Sequence, residues 1–176
     1  MCIRLLLAVF GMIYMGTCQA DDSMLVKYAG YDFSIPANPS VVVSSGDNDR
    51  VDILMFKYDH PERSGYITLM NMSSDPTLEE LQDVRGCDFA TFIEDLITRN
   101  DDTTCNREPL EAFYKDLGES DFGSWDGKDN SKWLYMFDMD KSLIYLISPG
   151  EKIVQIATDM LNTERELKAV INQYVK

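Results

Sequence analysis

Alternation of apolar and polar positions divides the chain into strand-like and helix-like stretches. Leu25-Val26-Lys27-Tyr28 and Tyr31-Asp32-Phe33-Ser34-Ile35 alternate as half-buried strands do, with Ala29-Gly30 as a turn or bulge and Pro36 and Pro39 as a stop. Val41-Val42-Val43 opens another strand, and Gly46-Asp47-Asn48-Asp49 is a turn. Val51 to Tyr58 and Tyr66 to Met72 continue what reads as an antiparallel meander, with residues 60–65 turning between them. The period then lengthens. Asp75-Pro76 enters a helix with Thr77 and Glu80 at capping-box spacing and Leu78, Leu81 and Val84 as a narrow apolar stripe. Phe89, Phe92, Ile93, Leu96 and Ile97 fall at i, i+3, i+4, i+7 and i+8, which predicts a helix over 89–97. Asn100 to Thr104 is a polar loop. Pro109 opens a short helix with Leu110, Phe113, Tyr114 and Leu117 inward, ended by Gly118.

Residues 119–131, rich in Gly, Asp, Ser and Asn, read as an exposed loop. Trp133, Tyr135, Phe137 and Met139 share one face of the next strand, and Leu134 and Met136 the other. Strands at 143–147 and 153–158 follow, also apolar on both faces, so the central ones are expected to be covered on both sides. Thr163 and Glu166 open a last helix with Leu167, Val170, Ile171, Tyr174 and Val175 inward. The expected fold is α+β: one antiparallel meander sheet with helices packed on its faces, a single domain at 21–176, and one disulfide.

The first 20 residues are set apart. Arg4, the apolar run Leu5 to Met15, and Cys18-Gln19-Ala20 before Asp21-Asp22 have the layout of a cleaved secretory signal. The alternative is a lipoprotein cut before Cys18, although Met15 and Thr17 suit a lipobox poorly. The expected location is periplasmic or secreted, with no membrane insertion after cleavage. Cleavage leaves two cysteines, Cys87 and Cys105, and in an oxidising compartment such a pair is expected to be a structural disulfide.

Charge narrows the partners. The chain has 30 acidic and 16 basic residues, a formal net charge of −14. That balance repels nucleic acid and favours a basic protein partner; the competing reading is that it only keeps an exported chain soluble. Glu108, Glu111, Asp116, Glu119, Asp121, Asp126 and Asp129 crowd one region, with Phe122 and Trp125 among them. Aromatic side chains in a charged rim have the composition of a binding hot spot, so Glu108, Glu111, Asp116, Glu119, Asp121, Phe122, Trp125 and Asp126 are the candidate partner-binding residues. The competing reading folds Trp125 back onto the core.

No pattern specifies a chemistry. His60 is the lone histidine and lies in a turn, which leaves no imidazole set for nucleophilic or multi-His metal sites. Asp47, Asp49 and Asp52, and Asp126, Asp129 and Asn130, lack the EF-hand spacing. Phe137-Asp138-Met139-Asp140-Lys141-Ser142 is similar to the first motif of haloacid-dehalogenase-like phosphatases, but too little chain follows for that family's later motifs, and a hairpin turn is expected instead. No cofactor, metal or catalytic residue is expected.

Tyr31-Asp32-Phe33-Ser34-Ile35-Pro36, and the closing run of meander strands into Leu167-Lys168-Ala169-Val170-Ile171-Asn172, resemble the opening and ending of PsbP-like domains. That resemblance implies an antiparallel sheet with helices on both faces and an accessory or binding role without catalysis. By type, the chain is also similar to periplasmic toxin-immunity proteins, which implies occlusion of a cognate effector. The leading expectation is a non-enzymatic, exported, acidic binding protein of the immunity kind. The alternatives are an accessory protein of an envelope complex and a small carboxylate-dependent hydrolase.

Overall fold

Three strands whose side chains are apolar in both directions can be desolvated only at the middle of a covered sheet, and that is where they lie. The computed structural model describes residues 23–46, 52–61, 63–117, 120–137, 141–150, 152–161 and 163. The strands are β1 (Ser23–Tyr28), β2 (Tyr31–Pro36), β3 (Val41–Ser45), β4 (Asp52–His60), β5 (Arg63–Asn71), β6 (Asp121–Asp126), β7 (Lys132–Phe137), β8 (Ser142–Ser148) and β9 (Lys152–Thr158). Strands β3 to β9 form one seven-stranded antiparallel sheet in the order β3-β4-β5-β9-β8-β7-β6. Two meanders are thus joined where β5 pairs with β9, Leu69 opposite Ile156.

The two faces of the sheet carry separate cores. On one, Phe56, Ile67, Leu69, Trp133, Tyr135, Phe137, Ile144, Leu146, Val154 and Ile156 pack with Phe33 and Ile35 of β2. On the other, Leu134, Tyr145 and Ile153 pack with Phe92, Ile93, Leu96 and Ile97. Alternation along β7 therefore sorts Trp133, Tyr135 and Phe137 to one side and Leu134 to the other, as the sequence predicts; Met139 lies outside the described residues. Phe137 pairs with Ser142 across the antiparallel β7–β8 pair, and Asp138, Met139 and Asp140 between them lie outside the described residues.

Strands β1 and β2 depart from expectation. They form a separate two-stranded sheet and do not extend the meander. Ala29 and Gly30, with φ of 50° and 85°, make the tight turn with two left-handed residues that a two-residue hairpin requires. Hydroxyls tie this hairpin region to the large sheet: Tyr28 donates to the Asp52 carbonyl and accepts from Asn71 N–H, and Tyr58 donates to the Pro36 carbonyl.

The helices are α1 (Pro76–Glu80), α2 (Gln82–Arg85), α3 (Phe89–Thr98) and α4 (Arg107–Leu117). The single helix expected over 75–84 is broken at Leu81, whose ψ is 0°. Its cap is Asp75, which accepts from Thr77 N–H and hydroxyl at 2.9 and 2.7 Å, in place of the Thr77–Glu80 box. Leu81 and Val84 are 48% and 56% exposed, so only Leu78 of the expected stripe packs inward. The expected loop at 119–131 contains β6, the sheet's edge. The closing helix expected from residue 163 and the signal at 1–20 lie outside the described residues. Among the described residues no helix is long and apolar enough to cross a membrane.

Tyr145 projects from β8 into the helix-side core, edge-on to Phe89 at 6.1 Å. Burial pushes its phenol up to about 12 from 10.0. Below the unfolded pKa both states hold the proton; above it the unfolded chain releases the proton that the folded one keeps, so stability falls. A rise of this size sets the scale, so Tyr145 should remove on the order of 3 kcal/mol of stability between pH 10 and 12. Urea midpoints followed through that range should decline, and Tyr145→Phe should flatten its share of the decline.

Candidate functional site

The layer over β6, β7 and β8 is built from short helices that could not hold their positions by propensity alone. Cys87, at the entry to α3, is bonded to Cys105, at the entry to α4, with Cα atoms 5.0 Å apart. Gly86 ends α2 in the left-handed conformation at φ 72°, and a Cβ there would meet the Asn106 side chain at 2.8 Å. That close approach lets Asn106 Nδ2 donate to the Val84 carbonyl at 2.8 Å while its N–H donates to the Arg85 carbonyl at 2.6 Å. Asp88 caps α3 by accepting from Thr91 N–H at 2.9 Å and Thr91 hydroxyl at 2.6 Å. Burial pushes the Asp88 carboxyl up, but the bonds from Thr91 and neighbouring backbone N–H groups outweigh it and hold the group below its ordinary value.

Asp95 is the polar hub of this layer, a carboxylate buried on α3. It accepts from Asn100 Nδ2 at 2.8 Å and from the Thr103 hydroxyl, and Thr103 in turn accepts from Cys105 N–H at 2.9 Å. The Cys105 sulfur lies 3.6 Å from the same carboxylate, but a disulfide sulfur has no proton to donate, so this is packing. Tyr114 of α4 donates to the Asp95 carbonyl at 3.0 Å. Burial pushes the Tyr114 phenol up, against the lowering effect of Arg99. Arg99, left-handed at φ 50°, ends α3 and lays its guanidinium 4.6 Å from the Phe122 ring and 5.6 Å from the Tyr114 ring. Lys132 pairs with Glu94, linking β7 to α3.

The sequence-predicted residues separate in this frame. Glu108 and Glu111 are exposed on α4, and Asp121 and Asp126 are exposed at the two ends of β6. The Asp116 side chain and Glu119 lie outside the described residues. Phe122 faces the helical layer beneath Arg99. Trp125 faces the opposite side of the sheet, where it stacks on Trp133 with ring centroids 5.8 Å apart and planes 8° apart. The two aromatics are therefore not brought together, and Trp125 folds back onto the core.

A different aromatic takes the exposed position. Phe113, expected inward, is 49% exposed although its ring meets Phe92 edge-on at 5.7 Å. It borders a largely apolar cavity of about 300 Å³ with Phe92, Leu96, Met136, Leu143 and Tyr145, and Lys141 stands at its margin. The signal for Phe113 was faint. It lies at the border of the stripe that Leu110 and Tyr114 define, and the buried face of α4 is centred on those two residues.

The buried acid, Asp95, is engaged by its own loop. His60 is exposed at the end of β4, its Nε2 3.1 Å from the Asn38 carbonyl. Among the described residues no group of three or more His, Cys, Asp or Glu side chains is placed to share a metal ion. No protein-family model, curated protein or solved structure matches the chain.

The bridge closes a loop across a sequence separation of 18, which in the chain-entropy view stabilises the fold by about 3 kcal/mol. Replacing both Cys87 and Cys105 by Ser should lower the urea midpoint by an equivalent amount. An unchanged midpoint on mutation or on reduction would show that the Asp95 network holds the layer unaided.

Proposed function

We propose that this protein is an exported, non-enzymatic binding protein that holds a basic protein partner against its disulfide-tethered helical layer, as a toxin-immunity inhibitor does. The observation that carries this reading is Phe113: a large aromatic half-exposed beside an apolar cavity, in a layer whose exposed charged side chains are mostly acidic. Glu108 and Glu111 on α4, Asp101 and Asp102 in the preceding loop, and Asp121 and Asp126 on β6 all face solvent. Three of the neighbouring cations are engaged, while Lys115 of α4 and Lys141 at the cavity margin are exposed. Arg99 lies on two rings, Lys132 pairs with Glu94, and Arg107 donates to the Asp101 carbonyl at 2.8 Å.

An apolar anchor on a predominantly acidic face suits a partner that offers an apolar side chain among lysines or arginines. The acidic face speeds encounter and selects the partner's sign; the aromatic and the cavity supply residence time. The Cys87–Cys105 bond supports export, because such a bond persists in oxidising compartments. The engagement of Asp95 by Asn100 and Thr103 counts against a carboxylate-dependent hydrolase, which needs a buried acid free to exchange a proton with substrate.

Affinity capture from the exporting organism, followed by titration of the recovered partner, tests the proposal. The partner should be a basic protein whose affinity falls as salt rises. Phe113→Ala should weaken binding at least tenfold with the fold intact, since that side chain is already half in solvent. Glu108→Lys with Glu111→Lys should slow association with less effect on dissociation. Recovery of small molecules alone, or a partner indifferent to both salt and Phe113, would refute the reading.

A further inference from the structure

The two edges of the seven-stranded sheet are treated differently. Strand β6 ends the sheet with charges at both extremities, Asp121 and Asp126, which is how sheet edges are usually guarded against pairing with another chain. Strand β3 ends it on the other side with no charge at all. Its residues Val41, Val42 and Val43 are 48%, 53% and 49% exposed, and all five residues of the strand face solvent. Opposite Val43 on β4, Met55 is also exposed. Exposed β-branched residues on an uncharged edge strand form a template for a further strand.

The sequence of that edge narrows what the further strand is. Ser40-Val41-Val42-Val43-Ser44 reads identically in both directions. We infer that β3 pairs antiparallel with β3 of a second copy of this chain, about a twofold axis through Val42, to make one continuous sheet across a dimer. Val42 then faces its own copy, Val41 faces the second copy's Val43, and Ser40 faces its Ser44. Because the axis passes through a residue, outward-pointing backbone groups of one strand meet outward-pointing groups of the other, whichever residues those are.

Cross-strand rows continue without a charge conflict. Val42 lies opposite Phe56 on β4, so that row becomes Phe56–Val42–Val42–Phe56 through both copies. Val41 lies opposite Lys57 and Val43 opposite Met55, so the flanking rows run Lys57–Val41–Val43–Met55, and each Lys57 stays away from its mate. The self-complementary patch is what a twofold interface requires. A five-residue strand pair with Met55 at its margin buries less than the roughly 1,200 Å² of a stable interface, so the dimer is reversible. Two copies that each carry a formal −14 charge repel, so salt should strengthen the dimer, the opposite of its effect on a basic partner.

Sedimentation velocity on the purified protein from about 5 to 500 µM, at low and high salt, tests the inference; tight and weak interfaces separate over such a range. A monomer–dimer equilibrium should appear, shift toward dimer with salt, and vanish in Val42→Lys, while Val42→Thr retains it. Unchanged circular dichroism and urea midpoints in Val42→Lys would show that the exposed position was altered without unfolding. Under mild oxidation Val42→Cys should cross-link to a dimer and Ser45→Cys should not, because only residue 42 faces itself. A monomer throughout, a dimer indifferent to Val42→Lys, or cross-linking at 45 in place of 42 would overturn the proposal. So would loss of basic-partner binding in Val42→Lys with the native protein monomeric, since that outcome assigns the edge to the partner.

Discussion

Burial of one strand group from both sides is the constraint on which the structure depends. Strands β7, β8 and β9 present Trp133, Tyr135, Ile144, Leu146, Val154 and Ile156 to one core and Leu134, Tyr145 and Ile153 to the other. Each apolar side chain of this size loses roughly 1.5–3 kcal/mol of stabilisation if left in water, so neither face can stay uncovered. The fold answers with two different covers. The β1–β2 hairpin brings Phe33 and Ile35 to the first face, and α3 brings Phe92, Ile93, Leu96 and Ile97 to the second. Whatever binds this protein meets a surface backed by that doubly covered sheet.

The helical cover is stiffened by devices that join successive elements. The disulfide joins the entries of α3 and α4, Asn106 joins α4's entry to the end of α2, and Asp95 gathers the loop between α3 and α4. Arg99 extends the chain of contacts to β6 through Phe122. Such links matter because α1 and α2 are too short to persist alone. They also explain why buried polar groups in this layer act structurally: Asp95 is saturated by partners that its own loop supplies. The same stiffness holds Phe113 and the cavity beside it in place, which limits the ordering cost of binding.

The acidic edge and the valine edge lie at opposite ends of the strand order, so a partner on the helical layer and a strand on β3 need not compete for the same residues. Their physics also differs. In the two proposals, one surface would work by long-range attraction that salt screens and the other by backbone pairing and apolar contact that salt assists by damping like-charge repulsion.

Much of the architecture was legible in residue order. Two-sided apolarity placed β7 to β9 at the centre, and the spacing of Phe89 to Ile97 marked α3 within a residue at its end. The pairing of Cys87 with Cys105 was expected from the cysteine count together with the expected exported compartment, and the structure shows the pair bonded. Three features escaped. Strand β6 looked like a loop because it contains Gly123, Ser124 and two aspartates. Gly123 is in fact a site where Tyr135 lies across the strand, a Cβ there falling 2.5 Å from its hydroxyl oxygen, and an aromatic neighbour offsets what glycine lacks. Strands β1 and β2 looked like more meander, because alternation reports that a strand has two faces and not which sheet it joins. Phe113 and Trp125 exchanged expected roles because exposure of an aromatic depends on what lies opposite: a second indole for Trp125, open solvent at the edge of the buried face of α4 for Phe113. The sequence by itself determined periodicity, charge and the disulfide pair, all of which are local or compositional. The tertiary structure alone decided which strands sit at the edges and which aromatic meets solvent, because those depend on contacts between residues far apart in the chain.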